Sequence, residues 1–139
     1  MKKIIFVLLI ITLTFVFIRT KTYAYMYVPR KPLLEQPQYK KVTLDNIKSI
    51  KILRYTEGGV SDKDITDKTE IEQLYKYLKQ IDIHSETKWG CTDNTTIYVF
   101  NLSDGSKETI EIECNWVVFN GKHYLFELRN SSKNSKILY

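Results

Sequence analysis

Residues 95–128 read TTIYVFNLSDGSKETIEIECNWVVFNGKHYLFEL, and the fold turns on how this stretch pairs with itself. Alternating runs flank Asp104-Gly105, and a second pair flanks Asn120-Gly121. Asx-Gly between β-branched runs is the strongest short-range hairpin signal, because both central residues of a type I′ turn need positive φ. With Asp104 and Gly105 at those positions, Ile97 faces Ile112, Val99 faces Ile110 and Thr95 faces Cys114. Tyr98 then lies opposite Glu111, and Phe100 opposite Thr109, on the other side. The pairing predicts an aliphatic face turned to the core and an aromatic–acidic face turned to solvent. Around Asn120-Gly121, Val118 pairs with His123, Val117 with Tyr124 and Trp116 with Leu125. Both sides of that hairpin are apolar, so alternation leaves its facing open.

Upstream, Lys48–Thr56 alternates as a strand with Ile50 and Ile52 on one side, and Gly58-Gly59 ends it. Val60 to Ile65 returns as a short second strand. Residues 66–81, TDKTEIEQLYKYLKQI, carry Ile71, Leu74, Leu78 and Ile81 at helical spacing, with Tyr75 widening the stripe. Asp67 followed by Glu70 has capping-box character at the helix start. Residues 84–94, HSETKWGCTDN, read as a loop by composition. The expected fold class is therefore α+β: an antiparallel sheet of four to five strands with one amphipathic helix packed on one face.

The chain has 139 residues, room for one domain and a targeting segment. Lys2 and Lys3 precede an apolar run from Ile4 to Ile18, closed by Arg19. That run is short for the ~30 Å hydrocarbon core and suits the h-region of a secretory signal peptide. Thr22-Tyr23-Ala24 offers small residues for cleavage after Ala24. An uncleaved anchor, with Tyr23, Tyr25 and Tyr27 at the interface, is the competing reading. Both readings make the body an exported one, secreted or membrane-anchored, touching membrane only through the N-terminal segment if that is uncleaved. Residues 25–41 carry three prolines and read as an extended linker, residues 42–129 as the domain, and residues 130–139 as a polar tail.

Net charge is +5, but four of the 21 basic residues (Lys2, Lys3, Arg19 and Lys21) precede residue 25, leaving 17 against 16 acids. A near-neutral body lacks the dense basic face that phosphate backbones require, so nucleic acid is not an expected partner.

Cys91 and Cys114 are the only cysteines, with 22 residues between them. In an exported protein an even pair reads first as a disulfide, contributing on the order of 3 kcal/mol by loop closure. A buried free thiol is equally comfortable on the aliphatic face assigned to Cys114. His84, Cys91, Cys114 and His123 are separated by 6, 22 and 8 residues, which matches no zinc motif. Asp62, Asp64 and Asp67 open like a calcium loop, but its sixth and twelfth places hold Asp67 and Gln73 instead of Gly and Glu. No metal or cofactor is expected. No cysteine or serine has a spacing that nominates a base, so no catalytic residue is assigned. Trp89 and Trp116, with the Tyr98 and Phe100 face, are the candidate partner-binding residues, since exposed aromatics anchor interfaces.

A strand ending near Tyr55, ITDKTEI at 65–71 opening a helix, TIYVFNLSDGS at 96–106 and VVFNGKHY at 117–124 together resemble small exported proteins of Gram-positive bacteria, catalogued as domains of unknown function. The resemblance covers residues 44–126 and implies an extracytoplasmic, non-enzymatic α+β domain. It supplies no functional residues, and the cysteine pair and the Trp89 loop are not part of its pattern. The expected function is an exported module binding a protein or an envelope component. A secreted hydrolase or thiol-redox protein using Cys91 or Cys114 is the alternative from another class. An envelope-anchored immunity or inhibitor-like protein differs from the first only in its partner.

Overall fold

The computed structural model describes residues 10–16, 30–88 and 93–129. Residues 10–16 are helical (α1). No helix among the described residues is long and apolar enough to cross a membrane. The remainder of the signal-or-anchor segment, and the tail at 130–139, lie outside the described residues.

The body is an eight-stranded, wholly antiparallel sheet, which corrects the expected four to five strands with one packed helix. Its strands are β1 (Lys31–Pro32), β2 (Ile47–Thr56), β3 (Gly59–Ile65), β4 (Ile81–Thr87), β5 (Asn94–Leu102), β6 (Lys107–Glu113), β7 (Trp116–Phe119) and β8 (Lys122–Leu128). They lie in the order β1-β4-β8-β7-β6-β5-β2-β3, so the 95–128 stretch is a four-strand meander at the centre. The second helix, α2 (Lys68–Leu78), connects β3 at one edge to β4 near the other.

The extra strands come from segments whose polar composition conceals them. β4 is IDIHSET, half of it assigned above to a loop. Ile81 and Ile83 are buried in it, and Asp82 between them is held by a two-pronged contact with Arg129. Burying a carboxylate is tolerable only when its lone pairs are matched in this way. The helix therefore stops at Leu78, and Ile81 belongs to the strand. At its start, the Asp67 carboxylate accepts from the backbone N–H groups of Thr69 and Glu70, as its position before the apolar stripe predicts.

The β5–β6 register differs from the expected one by a single residue. Thr95 pairs with Glu113, Tyr98 with Ile110 and Asn101 with Lys107. The connection is a three-residue loop, Ser103 to Gly105, closed by Leu102 N–H donating to the Ser106 carbonyl at 2.9 Å and Gly105 N–H to the Leu102 carbonyl at 3.1 Å. Only Gly105 has positive φ there (81°), the form in which a type I turn is followed by a left-handed residue. The Asp104 carboxylate stabilises this form by accepting from the Ser106 hydroxyl and its backbone N–H. Those bonds push its pKa down to about 2.

One residue of slip exchanges the two faces of β5. Tyr98 and Phe100 turn inward with Ile110 and Ile112, and Ile97 and Val99 turn outward, half-buried. The Asn120-Gly121 hairpin keeps its expected pairs, and both turn residues have positive φ (52° and 69°). Its facing is now decided: Val117 is buried on the inner side, while Trp116, Val118 and Leu125 lie outside, half-buried.

The inner face is covered by two layers. One is α2, through Ile71, Tyr77 and Leu78. The other is the segment assigned above to a linker, whose described part is packed rather than extended. Leu33, Leu34, Tyr39 and Val42 join the single hydrophobic cluster through short 3₁₀ turns at Leu33–Glu35 and Pro37–Tyr39. Proline favours such turns as readily as extended chain, and here the apolar residues between the prolines decide.

Candidate functional site

Where α2 crosses the sheet, it does not close onto β5 and β6. A groove of about 520 Å³ remains between Glu70, Gln73, Leu74 and Tyr77 of the helix and the inner sheet face. Its sheet wall carries Ile52 and Arg54 of β2, Thr96 and Tyr98 of β5, Ile112 of β6 and Phe126 of β8. The volume falls in the range of about 300–1,000 Å³ typical of small-molecule sites. Register explains the wall: Arg54 pairs with Thr96, and Ile52 with Tyr98, so all four project to one side.

The floor is aromatic and aliphatic, and the rim is polar. Burial pushes the Tyr77 hydroxyl up to about 12, with Tyr98 adding to the effect. Burial also raises Tyr98, partly offset by the positive charge of Arg54. Both phenols thus remain neutral donors across the physiological range. Two ion pairs stand at the mouth, Lys63 with Glu70 at 3.0 Å and Lys51 with Asp62 at 2.9 Å. Their exposure limits each to about 0–1 kcal/mol of stability.

No family model, curated relative or solved structure matches the chain.

The residues singled out from sequence scatter. Tyr98 lines the groove, but as a buried side chain on the inner face. Phe100 is fully buried in the core and presents nothing to a partner, so the expected Tyr98/Phe100 contact face does not exist. Trp116 lies half-buried on the outer face, and its indole Nε1 is buried without an acceptor. Cys114 is exposed in the β6–β7 turn with φ of 47°, donates from its N–H to the Asn94 carbonyl at 3.0 Å, and borders the groove. It is therefore not the buried aliphatic-face position expected for it. Trp89 and Cys91 lie outside the described residues. Among the described residues no cluster of His, Cys, Asp and Glu has a metal-binding arrangement.

Arg54, Gln73, Tyr77 and Thr96 were not singled out. The signal was present for Arg54, which falls in phase with Ile50 and Ile52 on the core-facing side of β2. A charged residue at a core phase marks a place where the core is open.

The opposite face of the sheet carries a second group of titratable side chains. Glu111 sits between Ile97 and Val118, its direct cross-strand neighbours. Glu113, two residues on, pairs with His123 at 3.0 Å. The half-buried setting of Glu111 raises its pKa, the Glu113 charge adds to this, and His123 opposes it. A carboxyl raised in the fold favours the folded state below its unfolded pKa and loses that contribution as pH rises through the folded value. Glu111→Gln is thus expected to raise the melting temperature at pH 7 and to lose this advantage at about pH 3, below the ~4.3 of an unfolded glutamate. Thermal melts of both proteins at the two pH values check it.

Proposed function

We propose that the chain is an exported, non-enzymatic binding module of the cell envelope, whose ligand occupies the groove between α2 and the inner sheet face. The groove itself carries the reading: an open cavity of about 520 Å³, with an apolar floor and convergent polar groups, interrupts an otherwise packed interior. Cavities of that size are seldom left in interiors that pack to crystal-like density, unless something fills them. The basic-then-apolar N-terminus, with small residues at Thr22 and Ala24, supports export. Placement in the envelope or medium follows from that reading, as does a partner drawn from the envelope.

A Cys91–Cys114 disulfide belongs to the same proposal. No free thiol is found among the described residues, and the turn that holds Cys114 is exposed to an oxidising exterior. Reduction is expected to add two hydrogens to the intact mass, and the unreduced protein is expected to resist alkylation. Rapid alkylation of the native protein would favour the thiol-redox alternative instead.

The function is tested on full-length protein recovered from producing cells and their medium. N-terminal sequencing is expected to find the mature start near Tyr25, or the intact anchor in the membrane fraction. Native mass spectrometry is expected to find a retained small molecule on the wild type. Thr96→Trp, which fills the groove from its sheet wall, is expected to lose it while keeping the wild-type circular dichroism. A wild type that carries no added mass, and melts identically to a folded Thr96→Trp variant in envelope extract, would sink the groove reading.

A further inference from the structure

The groove offers hydrogen-bond donors that the fold itself does not use. Tyr77 and Tyr98 are 3% and 4% exposed, and both border the cavity. Neither phenolic hydroxyl has a hydrogen-bond partner among the described residues. The two lie close enough to influence each other's ionisation, and the Arg54 guanidinium acts on the Tyr98 hydroxyl from the next strand. A buried hydroxyl without a partner is costly, and a ligand that brings an acceptor removes the cost.

The acids of the same lining are already matched. Asp62 is held by Lys51, and Glu70 by Lys63. The inner wall therefore asks for acceptor oxygens and negative charge. Beyond the hydroxyls, Leu74, Ile112 and Phe126 form an apolar strip that asks for hydrocarbon. Two donors beside one cation suit a carboxylate, which has two acceptor oxygens and a single charge. A phosphate, with more charge, calls for a denser cationic cluster than Arg54 provides.

Resting on the binding-module reading, we propose that the groove takes a monomeric amphipathic carboxylate. Its hydrocarbon chain lies along Leu74, Ile112 and Phe126, and its head accepts from the Tyr77 and Tyr98 hydroxyls beside Arg54.

The probe is dodecanoate below its micellar concentration, titrated into the full chain by calorimetry and followed by amide chemical shifts. Dodecyltrimethylammonium (the same chain with the opposite head) and acetate (the head without the chain) are the comparison ligands. Saturable one-to-one binding of dodecanoate is expected, with shifts at Leu74, Tyr77, Thr96 and Tyr98. Each comparison ligand is expected to bind at least about tenfold more weakly. Tyr77→Phe and Tyr98→Phe keep the ring volume and remove one donor each. Either is expected to weaken dodecanoate about tenfold, the effect of losing a hydrogen bond to a charged acceptor, and to leave the weak binding of dodecyltrimethylammonium unchanged.

Equal affinity for the cationic and anionic chains, or a double Phe variant that binds dodecanoate like the wild type, overturns the proposal. So does preference for vesicles over monomer at the same total carboxylate, which would make the surface a membrane contact. If dodecanoate fails while a different retained molecule is lost in Thr96→Trp, the ligand chemistry is wrong and the binding module stands. Failure of both overturns both.

Discussion

Phe100→Ala is expected to destabilise the domain by about 3–5 kcal/mol, the usual cost of emptying a core aromatic site. Phe100 is fully buried between Ile50 of β2 and Glu108 of β6, at the centre of the sheet where no neighbour is free to collapse into the space. Typical domains hold only about 5–15 kcal/mol, so the variant should unfold at much lower denaturant, or fail to fold at 37 °C. Val99→Ala, one residue away on the half-buried outer face, is expected to cost about 1 kcal/mol or less. The pair of variants reads the register directly. With Asp104-Gly105 as a two-residue turn, Val99 would be the core residue and the order of the two costs would reverse. Urea unfolding of both variants, followed by circular dichroism, measures it.

Leu33→Ala carries the second large effect, about 2–5 kcal/mol. Leu33 is fully buried and opens a 3₁₀ turn next to the two-residue strand that pairs with β4. A flexible tether would lose nothing at this position, whereas a packed layer loses a side chain and gains a cavity. Lys40→Ala, exposed in the same segment, is the control and is expected to lie within about 0.5 kcal/mol of the wild type. Equal stability of the two variants would return residues 31–41 to the role of a spacer. A large effect makes the segment part of the domain, and any shorter version of the protein has to keep it.

The hairpins were legible because their signals are local. Asn120-Gly121 sets its own pairs, since both residues adopt positive φ and the flanking strands are long enough to hold the register. The helix was legible in its start, where Asp67 caps it, and less so in its end. There Ile81 satisfies both a helical stripe and a strand alternation, and pairing with β8 decides between them. β4 was concealed because its polar residues find partners distant in sequence: Asp82 in Arg129, and Glu86 in Lys122. The groove was almost invisible, because its lining comes from five strands and a helix, and only Arg54 in a core phase announced it.

By itself, the sequence determined the run of strands, the β2–β3 hairpin, the central meander, the one amphipathic helix of the body and a cysteine pair. These depend on turn chemistry and on periods of 2 and 3.6, which are properties of short windows. The tertiary structure alone decided which face of the meander is inside. Both faces of β5 are apolar enough to be buried, so alternation is degenerate. A carboxylate–hydroxyl contact between Asp104 and Ser106 breaks the tie by adding one residue to the turn. That residue places Tyr98 beneath α2 instead of in solvent, and so turns an expected contact surface into the wall of a groove.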